Sequence, residues 1–119
     1  MGGAVRVLPA GDLPPGSLRE VEVGGRGLLL ARLRTGQVAA ADPLCPHEKA
    51  RLAEGSICGQ AVDCPRHHYL FDLATGRNLY PYPIYPKWKR EEIGDLTLAT
   101  YPCREEEDWI LVDLGSAAR

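Results

Sequence analysis

Histidine and cysteine are scarce in this chain, three and four residues in 119, so any metal or nucleophilic chemistry has to be built from very few side chains. Apolar runs are short as well. None approaches the roughly 20 residues that a spanning helix needs. Charge is balanced, with a formal net charge of −2 and the two signs interspersed, which gives no nucleic-acid surface and no polybasic membrane anchor. The N-terminal Met1 to Arg6 segment has neither a basic region followed by an apolar core nor a twin-Arg signal; the expected location is the cytoplasm. No glycine-rich dinucleotide fingerprint is found, so the chain should not use a nicotinamide cofactor itself. Helical periodicity never extends beyond two turns.

What the chain does have is a series of short β-type runs between turn signals. Val5 to Leu8, Leu18 to Val23, Gly27 to Leu33, Gln37 to Ala41, Ser56 to Cys58, Ala61 to Asp63, Tyr69 to Asp72, Leu96 to Tyr101 and Trp109 to Leu114 are predicted strands. Gly24-Gly25, Thr35-Gly36, Gly59-Gln60 and Thr75-Gly76 separate them as hairpin turns. The length suits one domain with its own core. Strands so closely spaced predict an all-β sandwich or barrel rather than a parallel sheet.

Into this pattern fall Cys45-Pro46-His47 and Cys64-Pro65-Arg66-His67, separated by the sixteen residues from Glu48 to Asp63. Around them stand Asp12 to Gly16, Gly36 to Asp42, Leu52 to Gly55, Phe71 to Gly76, Thr100 to Pro102 and Val112 to Leu114. In this order the motifs resemble the small Rieske [2Fe-2S] ferredoxins, and the resemblance runs from about residue 5 to 114. It implies the Rieske fold: an antiparallel β-sandwich base bearing a small cluster-binding subdomain at about 42–80, all within a single domain, 1–119. It also implies one [2Fe-2S] cluster, with Cys45 and Cys64 on one iron and His47 and His67 on the other.

The resemblance further implies function. The expected role is a one-electron carrier between a flavin-containing reductase and a terminal oxygenase, not an enzyme in itself. A monomer is expected, docking its redox partners near the His47/His67 tip, with Pro46, Leu52 and Pro65 around the imidazoles. With His47 and His67 assigned, only His68 is left, too few residues for the second, mononuclear iron of an oxygenase. Two other classes fit the residues: a small Rieske-like subunit of a cytoplasmic nitrite reductase or other oxidoreductase, and a zinc-bound structural module.

Several positions depart from relatives. Respiratory Rieske proteins carry Cys-Pro-Cys-His-Gly-Ser-x-Tyr in the second loop, with a disulfide and two hydroxyl donors. This chain has Arg66, Tyr69 and Phe71 there, and Ala50 at the disulfide partner's place. The expected potential therefore lies toward the low end of the Rieske range of about −150 to +300 mV. Cys58 and Cys103 read as separate reduced strand residues. The small ferredoxins usually have glycine where Lys49 and His68 stand, so the loops must tolerate a side chain or take another path. His68 is also a rival ligand to His67. Tyr80 to Asp95 matches poorly; it reads as an extended Pro-Tyr segment followed by a basic turn or short helix, either a docking element or an aromatic flap over the base.

Overall fold

The structure is a computed structural model and describes residues 4–46, 49–66, 68–93 and 96–114. Eleven strands run through it: β1 (Ala4–Pro9), β2 (Ser17–Val23), β3 (Arg26–Arg32), β4 (Val38–Ala41), β5 (Ser56–Cys58), β6 (Ala61–Asp63), β7 (Leu70–Asp72), β8 (Asn78–Tyr80), β9 (Thr100–Tyr101), β10 (Cys103–Glu106) and β11 (Trp109–Asp113). They form three antiparallel sheets, ordered β1-β11-β10, β2-β3-β4-β9 and β5-β6-β7-β8. The first two sheets make the base, and the third carries one of the two Cys-Pro segments in its β6–β7 turn.

Strand β3 organises the core, and its sequence shows why. Gly27 to Ala31 is a continuous apolar run rather than an alternation, as expected of a strand covered on both faces. Successive side chains point to opposite sides. Leu29 and Ala31 join Leu33, Ala41, Leu52, Val62, Phe71 and Leu98 in one buried cluster that also contains Cys45 and Cys64. Leu28 and Leu30 join Leu8, Leu13, Tyr101, Ile110 and Val112 in the other. The same strand thus binds the base together and forms the floor of the Cys-bearing half.

The turns sit where glycine predicts them. Gly24 and Gly25, at φ of 60° and 80°, close the β2–β3 hairpin whose last pair is Val23 and Arg26, a two-residue connection that needs positive φ at both positions. Elsewhere the strands depart from the predicted runs. Leu96 to Tyr101 is a strand only at Thr100–Tyr101, with Thr97 in a lone bridge to Arg77, and β8 and β10 lie outside the predicted runs.

The Tyr80 to Asp95 region departs from its expected extended path. A 3-10 turn spans Tyr82–Ile84, followed by the helix α1 (Lys87–Ile93). The Tyr82 N–H donates to Asn78 Oδ1 at 2.8 Å and starts that turn. The short helix matches the sequence expectation, and Gly94 and Asp95 lie outside the described residues.

Candidate metal centre

The first loop leaves β4 at Asp42, whose N–H donates to Ala99 O at 2.9 Å. Its carboxylate accepts a short hydrogen bond from the Tyr101 hydroxyl, which in turn accepts from Arg26 Nη2. Burial, then the bond to Asp42, push the Tyr101 hydroxyl above its ordinary pKa. Three residues spread over 75 positions thus fix the entrance to the loop, and nothing local in the sequence signals it.

The second loop is the connection of the β6–β7 hairpin, closed by the Asp63–Leu70 pair. The two loops have the same construction. Cys45 N–H donates to Ala50 O at 2.8 Å, and Lys49 N–H to Cys45 O at 2.7 Å. Cys64 N–H donates to Tyr69 O at 2.9 Å, and His68 N–H to Cys64 O at 3.0 Å. Each cysteine is bonded to the residue five places on and accepts from the residue four places on.

That fourth residue is left-handed in both loops, Lys49 at φ 61° and His68 at φ 57°. Both positions, expected from the resemblance to hold glycine, take the left-handed conformation that favours glycine, so the loops tolerate a side chain there. A Cβ crowds the backbone in this region, at a cost of about 1–2 kcal/mol per residue.

Gly55 lets the ends of the two loops approach. A Cβ there would lie 1.9 Å from Asp63 O, which only a glycine avoids.

Cys45 and Cys64 are both 0% exposed and share one apolar cluster. All four cysteines are described and none forms a disulfide. Cys58 is exposed and Cys103 is half-buried, and burial pushes the Cys103 thiol up to about 12 against the pull of Arg32. Two buried thiols presented from like-built loops suit a soft, thiolate-bound metal group. His47 and His67 lie outside the described residues. Among the described residues no group of three or more His, Cys, Asp or Glu converges as a metal site.

His68 is largely exposed, and its Nδ1 lies 3.1 Å from Asp63 Oδ1. Leu44, Pro46, Lys49 and Arg66 are exposed around the loops. Leu52 is not among them: it is fully buried, because the 3-10 turn at Leu52–Glu54 directs it into the cluster beneath Cys45. Phe71 is also fully buried and, having no hydroxyl, donates nothing to the site. The Tyr69 hydroxyl pairs with that of Tyr85 at 3.3 Å, which ties the Pro-Tyr segment to the second loop.

This architecture defines an antiparallel β protein with two matched thiol loops at one end of its core. Residues 3–89 match the Rieske [2Fe-2S] domain family. The chain is 33% identical over 104 residues to the ferredoxin component of the naphthalene 1,2-dioxygenase system of Pseudomonas aeruginosa, spanning 87% of this chain and 88% of that one. The Sphingomonas yanoikuyae B1 ferredoxin superposes with a TM-score of 0.74 at 26% identity, over 93% of this chain and 98% of the other. A chain from the complex of reduced oxygenase and oxidised ferredoxin in carbazole 1,9a-dioxygenase does so at 0.71 and 25%, over 92% of each.

The chain belongs to the Rieske [2Fe-2S] family. It is an electron carrier of the ferredoxin type with one [2Fe-2S] cluster. Among the described residues no helix is long and apolar enough to cross a membrane.

Proposed function

We propose that Cys45 and Cys64 bind one iron of the cluster and His47 and His67 the other, and that the protein carries single electrons from a flavin-containing reductase to a terminal oxygenase. The observation that carries this reading is the repeated loop, which buries a thiol at the same place in each Cys-Pro segment. The cluster, when bound, supplies one-electron chemistry, and two neutral imidazoles in place of thiolates make reduction easier than in a four-Cys ferredoxin.

The chain's own residues set the surroundings. Leu52, Val62, Phe71 and Leu98 keep water from the thiol side. Ala50 and Arg66 supply no disulfide and Phe71 no hydroxyl, so the potential belongs to the low end of the family range. His68, engaged with Asp63, is not a ligand in this assignment.

The whole chain acts as one domain, with residues of about 42 to 80 as the cluster-bearing part, in the cytoplasm and as a monomer. Docking occurs at the His47/His67 tip through a small, transient contact of less than about 1,200 Å² in total. The test is a ligand series. Cys45→Ser, His47→Ala, Cys64→Ser and His67→Ala should each abolish the visible colour and the one-electron reduction, while His68→Ala should keep both. Loss of colour in His68→Ala but not in His67→Ala would reverse the assignment.

A further inference from the structure

The stem of the first loop is tied to the β2–β3 hairpin by two links that carry charge. In one, Tyr101, 6% exposed, stands between Arg26 and Asp42: its hydroxyl donates to Asp42 Oδ1 and accepts from Arg26 Nη2. The Arg26 guanidinium also lies over the Tyr101 ring, 5.0 Å from its centre. In the other, Arg51 donates to Glu20 Oε1 at 3.0 and 3.2 Å. Arg51 belongs to the returning limb of the stem, where it bridges to Leu44.

The two links differ in kind. Glu20 and Arg51 form a direct ion pair, and the Arg51 side chain is 61% exposed, so water screens it. Asp42 meets its cation through a hydroxyl on a buried ring. Asp42 also stands close to the thiols: it precedes Cys45 by three residues, a reach of at most about 11 Å. Its backbone is fixed there by the bond from its N–H to Ala99 O. Reduction of the group held by Cys45 and Cys64 adds one electron, and so one negative charge. A carboxylate at that range opposes the added charge, and a guanidinium favours it.

We propose that Asp42, Tyr101 and Arg26 tune the reduction potential of the cluster, with Tyr101 as the positioning residue that holds the carboxylate and the guanidinium beside the first loop. This rests on the ligand assignment given above and adds to it a charge outside the ligand set.

The test is the equilibrium of the cluster-loaded protein with a one-electron dye of known potential, at fixed pH and ionic strength. One unit charge at about 11 Å, with an effective permittivity of about 20 to 40, changes such an equilibrium constant about three- to tenfold. Asp42→Asn should therefore favour reduction by about threefold or more, which is ~28 mV at about 59 mV per tenfold. Arg26→Gln should disfavour it by about twofold. Arg26 is exposed, so this variant carries the test even where Asp42→Asn fails to fold. Tyr101→Phe, which strips the carboxylate of its donor, should also disfavour reduction. Arg34→Gln removes the same charge as Arg26→Gln from the exposed β3–β4 turn, at the end of β4 away from the loop, and should change nothing. A loop merely loosened would move the potential in one direction, whereas the electrostatic role requires opposite signs for Asp42→Asn and Arg26→Gln. The proposal is overturned if those two shift the same way, if neither shifts, or if Arg34→Gln shifts as far as Arg26→Gln. Each of these results leaves the cluster in place and the ligand assignment intact; an unsubstituted protein without iron-sulfur absorbance would overturn both.

Discussion

Replacing Lys49 by glycine should make the protein more stable, although glycine usually weakens a folded chain. Lys49 sits at φ 61°, where a Cβ costs about 1–2 kcal/mol that glycine does not incur. Against this, glycine widens the unfolded ensemble by about 0.4–1 kcal/mol. The side chain is exposed and makes no hydrogen bond or ion pair among the described residues, so little else is lost. The balance is a gain of about 0.5–1 kcal/mol, or ~2–5 °C in Tm for a domain of this size. Lys49→Ala is the control, because it removes the same ammonium but keeps the Cβ. The assay is guanidinium unfolding of the cluster-loaded proteins, followed by circular dichroism and cluster absorbance together. Alanine as stable as glycine, or glycine less stable than lysine, would show that the left-handed backbone is not strained here. His68→Gly sheds the same strain but also the bond to Asp63, which an exposed ring makes worth at most about 1 kcal/mol. Its net effect should be near zero.

Other expectations follow from the same geometry. Gly55→Ala and Gly76→Ala each push a Cβ to 1.9 Å from a backbone carbonyl, of Asp63 and Leu98 respectively, and each should cost roughly 2–4 kcal/mol in chemical unfolding. Cys103, raised to about 12 from an ordinary 9.0, keeps its proton in the folded state while the unfolded thiol ionises. The unfolded state then binds fewer protons, so stability should fall as pH rises from about 9 toward 12, and Cys103→Ala should flatten that fall in a urea series. Iodoacetamide at pH 8 should label the exposed Cys58 and spare Cys103, as read by peptide mass spectrometry. Tyr101→Phe, which deprives Asp42 of its donor and Arg26 of its acceptor, should cost about 1–3 kcal/mol.

The sequence is most legible where a residue type has one physical use. Gly24-Gly25 announces its hairpin because both positions need positive φ. The run at Gly27 to Ala31 announces a strand covered on both faces. Strand β10, Cys-Arg-Glu-Glu, gave no such signal: three of its four residues are exposed and it is held by pairing with β11. Strand β8 is three residues long, at the sheet edge, and runs into Pro81. Both owe their form to a neighbour rather than to their own pattern.

The site divides in the same way. The Cys and His spacing is local and readable, and so is the anomaly at Lys49 and His68. What happens there was not readable, since a missing glycine is compatible with strain or with a new path. The Tyr69–Tyr85 contact lies sixteen positions apart, and the Arg26–Tyr101–Asp42 chain reaches across 75. Such links exist only once the sheets have formed. In the Pro-Tyr segment, exposure weighs against an aromatic flap over the base. Ile84 and Trp88 are 68% and 65% exposed and no residue of the Tyr82–Ile84 turn is buried, so these side chains do not cover the base.

The most direct test of the account is low-temperature EPR of the dithionite-reduced protein, with iron and zinc quantified on the same sample. It predicts two irons per chain, no zinc, and the signal of a [2Fe-2S] cluster with mixed His and Cys ligation that vanishes in Cys64→Ser. A colourless, zinc-loaded protein, or a cluster signal that survives the loss of Cys64, would contradict it.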